Sequence, residues 1–358
     1  MNNATGSYQA NMSIGKSTLG FVVLLFISVT LPLAEEKTSA RSKQPEDQTV
    51  IRAEVEMVSL PVVVTTRDGK RVTDLQKEDF RVFEDNVEQT IAGFAATDEP
   101  VSEVLALDTS GSTEMELANI QNASIEFVNI LHPDDSVAVM SFANDIVLQG
   151  DFTMDRDRNA YAIKKTRPGG STSLYEAVWL ALEEVLKPVK ERKALILFTD
   201  GVDTNSRKAS QGETLELAKE TEAPIYCIYY NTEGDQSTRT ARQRVGGILF
   251  PGTNPTILGS PYPGGAGGST TEEYMRGLNY LTKLSEYSGG IMLDAMQMGS
   301  LRTAFEQIAR ELSSQYSIGY YSTNQKHDGK FRKVTVKVDR PNLIARTRMG
   351  YTVRKDKK

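Results

Sequence analysis

The chain has 358 residues, enough for one large domain and a smaller companion. A net charge of −6 and a pI near 5.3 give no electrostatic footprint for nucleic acid. The single cysteine, Cys227, excludes an intramolecular disulfide, and two histidines leave almost no material for a Ser-His-Asp triad or a His-rich zinc site.

Residues 1–18 are polar, with Lys16 their only charge, and residues 19–33 are apolar. That run is short for a membrane span and suits the core of a signal peptide ending at Ala34, with an uncleaved N-terminal anchor as the other reading. Met12 opens a more ordinary signal than Met1 does. Gly15-Lys16-Ser17 resembles the end of a phosphate-binding loop, but Ala10 stands where glycine is required and no strand precedes it. Residues 35–49 are charged, without periodicity, and read as a linker. Residues 50–97 read as part of a small β domain. Valine-rich 57–66 is a strand, Asp68-Gly69 a turn before Arg71-Val72, and 75–80 a helical turn. Residues 80–84 and 89–94 form an expected hairpin about Asp85-Asn86.

From residue 98 to 315 strands alternate with helices, the pattern of an α/β domain. The predicted strands are 104–107, 136–142, 146–152, 194–199, 224–230 and 291–293, the second and third forming a hairpin about 143–145. The predicted helices are 117–131, 156–165, 174–189, 213–221, 273–287 and 299–314. Residues 232–271 are rich in Gly, Pro, Ser and Thr and read as a long exposed insertion. Residues 316–358 return to β, with strands at 316–322, 331–338 and 343–347 and a basic tail. Val334, Val336 and Val338 alternate with polar residues, as a half-buried strand requires.

Three stretches carry chemistry. The apolar run 104–107 ends at Asp108, and Ser110 and Ser112 follow at alternate positions. Gly169-Gly170-Ser171-Thr172 opens a helical pattern. Residues 194–199 form a second buried strand, ending at Asp200. Carboxylates and hydroxyls are hard oxygen ligands, the kind Mg²⁺ or Mn²⁺ prefers. Each string alone is weak, because Asp, Ser and Gly are also common turn residues. Three loops at strand ends or helix starts can nevertheless converge on one ion. Asp203 reads as a turn residue. Cys227 sits in an apolar strand and reads as a core thiol.

Together these stretches resemble the von Willebrand factor type A family and its metal-ion-dependent adhesion site, over roughly residues 101–315. The resemblance implies metal ligands at Asp108, Ser110, Ser112, Thr172 and Asp200, with Mg²⁺ or Mn²⁺ as the ion. Thr113 departs from the apolar residue common after the last serine, outside the ligand set. The flanks VTDLQKEDFRVFEDN and SSQYSIGYYST are similar to those of the exported bacterial members. The implied fold is a doubly wound, mostly parallel Rossmann-like sheet with one antiparallel edge strand, plus a smaller β-sandwich-like domain from the flanking segments. Residues 50–97 and 316–358 are too short to bury separate cores, so they are expected to pair, and the resemblance implies that they do so at the end opposite the ion.

If neutral hydroxyls take the direct positions, the ion keeps most of its charge and attracts a carboxylate from a partner. The expected function is therefore an exported, non-enzymatic adhesion or assembly module, in the periplasm, cell envelope or medium. Its expected partner is a protein with an exposed acidic residue. The alternatives are a structural envelope protein with no metal-dependent ligand, or a metal-dependent hydrolase, which would need more carboxylate or histidine ligands. The Asp108–Ser112 string superficially resembles an aspartic-protease loop but carries an extra serine.

Overall fold

The computed structural model describes residues 57–96, 99–230, 270–295, 298–353 and 355. The apolar run 19–33, the linker and all but the last two residues of the 232–271 insertion lie outside the described residues. Those described fall in one unit, Glu54–Lys358.

Four strands precede the α/β region. They are β1 (Val58–Thr66), β2 (Phe80–Glu84), β3 (Val87–Gln89) and β4 (Ile91–Ala96), with a 3₁₀ turn at Lys77–Asp79. Asp85 and Asn86 have φ of 47° and 68°, the left-handed pair of a tight hairpin turn, which joins β2 to β3. The sequence-based hairpin is corrected here. Only 87–89 pairs with β2, and 91–96 crosses to another sheet.

The α/β region follows in the order β5 (Val101–Asp108), α1 (Leu117–Ile130), β6 (Ser136–Phe142), β7 (Ile146–Thr153), α2 (Arg156–Lys165), α3 (Leu174–Leu180), β8 (Arg192–Thr199), α4 (Gln211–Glu220), β9 (Ile225–Tyr229), α5 (Thr271–Ser288), β10 (Met292–Asp294) and α6 (Met298–Leu312). The helix expected over 174–189 continues past α3 as a π-helical stretch, Ala181–Leu186. Local chemistry sets the helix ends. Asp155 accepts from the first turn of α2, Ser210 and Glu213 form a capping box on α4, Thr270 and Glu273 form another on α5, and Gly289 closes α5 at φ 84°.

The central sheet has six strands in the order β10-β9-β8-β5-β6-β7. All neighbours are parallel except β6 and β7, so β7 is the antiparallel edge. Helices cover both faces, so the middles of β5 (104–107) and β8 (194–198) are unbroken apolar runs, as doubly covered parallel strands must be. Leu105, Leu107, Ile196 and Phe198 point to one face and pack with Ile120 and Phe127 of α1 and Phe305 and Ile308 of α6. Val104, Ala106, Leu195 and Leu197 point to the other and meet Ala177 and Val178 of α3 and Leu281 and Leu284 of α5. The chain runs outward from β5 to β6 and β7, then returns to the other side of β5 as β8. The strand order reverses between β5 and β8, the place where open α/β sheets bind ligands.

The last strands are β11 (Tyr316–Tyr320), β12 (Phe331–Val338), β13 (Leu343–Arg346) and β14 (Gly350–Thr352). β14 was not read from the sequence. These strands pair with those that precede the α/β region, giving two four-stranded sheets, β13-β1-β11-β4 and β14-β12-β2-β3. Pro61 is tolerated in β1 because it faces β11 alone, while β13 joins the other edge only from Val63 onward. Val62, Val64, Val334 and Val336 share one core with Phe80, Ile318 and Tyr320.

Arginines hold these sheets against the helix C-termini. Arg192, at the start of β8, donates to the carbonyls of Glu99 (2.6 Å) and Leu312 (2.8 Å), the latter closing α6. Arg346 donates to Gly289 O (2.9 Å) after α5, and Arg348 to Glu220 O (3.0 Å) at the end of α4 and to Ser59 O (2.8 Å) of β1. Three helices thus end on guanidinium groups, which satisfy orphan carbonyls and favour the negative pole of each helix. This junction lies at the N-terminal ends of the parallel strands, and Asp108 and Asp200 lie at their C-terminal ends.

Candidate metal centre

Asp108 is the last residue of β5. The strand is buried along its length, so its carboxylate enters the interior with no exposed surface. The loop that follows folds onto it. Ser110 N–H donates to Asp108 Oδ1 (2.9 Å), and Thr199 Oγ1, at the end of the adjacent β8, donates to Asp108 Oδ2 (2.7 Å). Ser110 Oγ and Ser112 Oγ stand 3.1 Å apart. Thr113 Oγ1 lies 3.1 Å from Asp108 O and 3.0 Å from Ser110 O, so this polar residue closes the loop on its own backbone.

The second loop docks on the first through main chain. Gly111 N–H donates to Gly170 O (2.9 Å), and Gly169 N–H to Thr109 O (2.6 Å). A side chain on Gly169 would collide with Ala143 Cβ, so glycine is required for this approach. Thr172 is buried at the mouth of α3. Its N–H donates to Thr204 Oγ1 (2.8 Å), and its carbonyl accepts from the N–H groups of Thr204 and Asn205 (both 2.9 Å). The Thr172 loop is therefore tied to the loop after β8, which begins with Asp200. Asn144 Oδ1 accepts from Ser171 N–H (2.6 Å), adding a tie to the β6–β7 turn.

Asp200 is 2 % exposed, and its Oδ1 accepts from Val202 N–H (3.1 Å). Asp203 accepts from Tyr175 N–H (3.2 Å) and Ser206 Oγ (2.6 Å), which places it at the N-terminus of α3 in a turn role. Sequence reasoning missed Thr199 and Asn144. Thr199 looks like an ordinary β-branched strand residue, and only the pairing of β5 with β8 brings it onto Asp108.

Burial first, and then the charge of Asp200, push the Asp108 carboxyl up to about 7, although bonds from Ser110 and Thr199 pull the other way. A buried carboxylate whose charged form is disfavoured by a neighbouring acid is a group that a cation would stabilise. Among the described residues no group of three or more His, Cys, Asp or Glu could hold a metal, so an ion here must draw on hydroxyls. Ser110 and Ser112, in the loop that follows Asp108, and Thr172, in the loop docked on it, offer such hydroxyls, and hard oxygens of this kind suit a hard divalent cation rather than a thiophilic one.

A protein-family model, the von Willebrand factor type A domain, matches residues 104–202, which span β5, the hydroxyl loops and β8. No curated protein matches the chain. Among solved structures, the chain is similar to the vWF domain of the type V pili tip protein Mfa5 from Porphyromonas gingivalis. The identity is 13%, covering 60% of this chain and 95% of that one, with a TM-score of 0.43. It is similar to a von Willebrand factor type A protein from Catenulispora acidiphila at 11% identity, over 78% of this chain and 75% of that one, with a TM-score of 0.43. It is also similar to proximal thread matrix protein 1 from the mussel byssus, solved with a zinc-occupied MIDAS motif. There the identity is 17% over 64% of this chain, which spans 49% of that chain, with a TM-score of 0.42. Residues 104–202, from the start of the Asp108 strand to just beyond Asp200, thus match the von Willebrand factor type A domain, set within a mixed sheet covered by helices on both faces.

Proposed function

We propose that the protein is a divalent-metal-dependent binding module that captures an acidic group of a partner protein outside the cytoplasm, without catalysis. One observation carries this reading. At the reversal of strand order, Asp108 and Asp200 are both buried and repel each other beside the paired hydroxyls of Ser110 and Ser112. Asp108, Ser110, Ser112, Thr172 and Asp200 would hold Mg²⁺ or Mn²⁺. The bound ion supplies an electrophilic point for a carboxylate oxygen, stronger where neutral hydroxyls rather than carboxylates are its direct ligands. The chain's own residues do the rest. Thr199 and Ser110 hold Asp108 by one oxygen each, and the Gly111–Gly170 and Thr172–Thr204 bonds fix the loops before any ligand arrives. Preorganisation of this kind lowers the ordering cost of capture.

Export rests on the apolar run at residues 19–33. Among the described residues no helix is long and apolar enough to cross a membrane. A pulldown from native envelope extract, run with Mg²⁺ and with chelator, tests the function. A partner retained by wild type in Mg²⁺ and lost in chelator, and never retained by Asp108→Ala, is the expected result. Capture indifferent to both the ion and the substitution contradicts metal-dependent binding.

A further inference from the structure

Gly277 sits inside α5, where glycine is less favourable than alanine. Its surroundings account for it. A Cβ built on Gly277 would stand 2.6 Å from the Gly201 carbonyl oxygen and 2.7 Å from its carbonyl carbon. The contact is reciprocal, because a Cβ on Gly201 would stand 2.9 Å from the Gly277 carbonyl carbon. Both sides are main chain, so no rotamer change relieves the crowding. Gly201 directly follows Asp200 and has φ 79°, a conformation that itself favours glycine. Its N–H donates to Thr199 Oγ1 (3.1 Å), the same hydroxyl that donates to Asp108 Oδ2.

A second contact ties the same helix to the Thr172 side. Tyr280, one turn beyond Gly277, is buried and meets Tyr175 edge to face, with centroids 5.0 Å apart. Tyr175 lies in the first turn of α3, three residues after Thr172. The Tyr280 hydroxyl is fixed by Thr214 of α4 at 2.9 Å. Adjacent turns of α5 therefore bear on both the loop of Asp200 and the helix that follows Thr172.

We propose that α5 is the positioning strut of the ion site and that Gly277 is its positioning residue. Backbone contact with Gly201 sets the place of the Asp200 loop and, through Thr199, its spacing from Asp108. This rests on the ion-site reading above. The helix touches no ligand, so its effect is on the geometry of the groups that do, as with outer partners of metal ligands generally.

The test is calorimetric titration of Mg²⁺ into the full chain, as wild type, Gly277→Ala and Gly212→Ala. Gly212 lies in α4, where a Cβ would meet nothing within 4 Å, so it reports the bare effect of alanine in a helix. Gly277→Ala is expected to weaken Mg²⁺ about tenfold while circular dichroism shows a folded protein, and Gly212→Ala to leave the affinity unchanged. Equal affinity for folded Gly277→Ala and wild type overturns the strut and leaves the ion site standing. Absence of Mg²⁺ binding by wild type overturns the ion-site reading, and the strut with it. If Gly277→Ala does not fold, amide hydrogen exchange on wild type decides. The Gly201 N–H and the α5 amides around Gly277 should open together and be slowed together by Mg²⁺. Gly201 opening independently of α5 overturns the proposal.

Discussion

Asp108→Ala is expected to abolish Mg²⁺ binding, with an affinity loss of at least about 100-fold, because replacing even an outer partner of a metal ligand costs 10–100-fold. The fold should survive. The change removes a buried acid whose ionised form is disfavoured, which offsets the loss of the acceptor for Thr199 Oγ1 and Ser110 N–H. The pH dependence of wild-type binding follows from the same carboxyl. With Asp108 held at about 7, a proton competes with the ion below that value. Affinity should therefore fall roughly tenfold between pH 8 and pH 6, with proton release on binding that grows as the pH is lowered. The effect on stability has the opposite sense. The ion-free fold holds a proton that the unfolded chain releases near the ordinary aspartate value, so it loses stability as pH rises from there toward 7. Saturating Mg²⁺ should remove that loss. Calorimetry at the two pH values, on wild type and variant, checks each part. PH-independent affinity would mean that Asp108 does not contact the ion.

The second large effect lies at the other end of the molecule. Glu84, at the end of β2, is 2 % exposed and accepts from Tyr320 OH (2.9 Å), Tyr351 OH (2.8 Å) and Ser322 Oγ (2.7 Å). These hydroxyls come from β11, from β14 and from just after β11, so one carboxylate joins both sheets. The arrangement pushes the tyrosines up, Tyr320 strongly and Tyr351 to about 12, burial being the first cause for each and Glu84 adding to it. Glu84→Ala takes the acceptor from one buried hydroxyl, Tyr320, and from two half-buried ones, Tyr351 and Ser322. It is expected to cost roughly 2–4 kcal/mol, at about 1–3 kcal/mol for the unsatisfied buried group and less for each half-buried one. That is a large share of a total that is commonly 5–15 kcal/mol. Urea unfolding measures it, with Glu84→Gln as the milder control because it keeps one acceptor oxygen. A loss below about 1 kcal/mol for Glu84→Ala would mean that the hydroxyls find other partners.

The site was legible because its strands are buried on both faces. Residues 104–107 and 194–198 read as unbroken apolar runs, and each leads to an aspartate with no apolar reason to be there. The loops were legible as strings of hydroxyl and glycine, but their mutual docking was not. The Gly111–Gly170 bond and the Gly201–Gly277 contact join residues 59 and 76 positions apart, and nothing local to either glycine names its partner. The same limit explains Thr199, which is indistinguishable from a strand-ending threonine until β5 lies beside β8.

In the flanking sheets, the alternation Val334-Thr335-Val336-Lys337 marked β12, and it shares a core with Val62 and Val64. The stretch 89–94 was misread as the strand partner of β2, whose partner is 87–89. It carries no glycine or proline where the chain leaves one sheet at Gln89 and enters the other at Ile91. β14 has three residues, too few to show a period. The arginines at the helix ends were also silent in sequence. Arg346 and Arg348 look like solvated charges on a polar strand, and only the tertiary fold delivers them to the carbonyls of α4 and α5.

Crystals of the full chain grown or soaked with Mn²⁺, with diffraction collected at the manganese edge, test the central claim most directly. The ion-site reading predicts one strong anomalous peak bounded by Asp108, Ser110, Ser112, Thr172 and Asp200, absent from crystals of Asp108→Ala. No peak at that position in wild type, or a peak there that persists in Asp108→Ala, would contradict it.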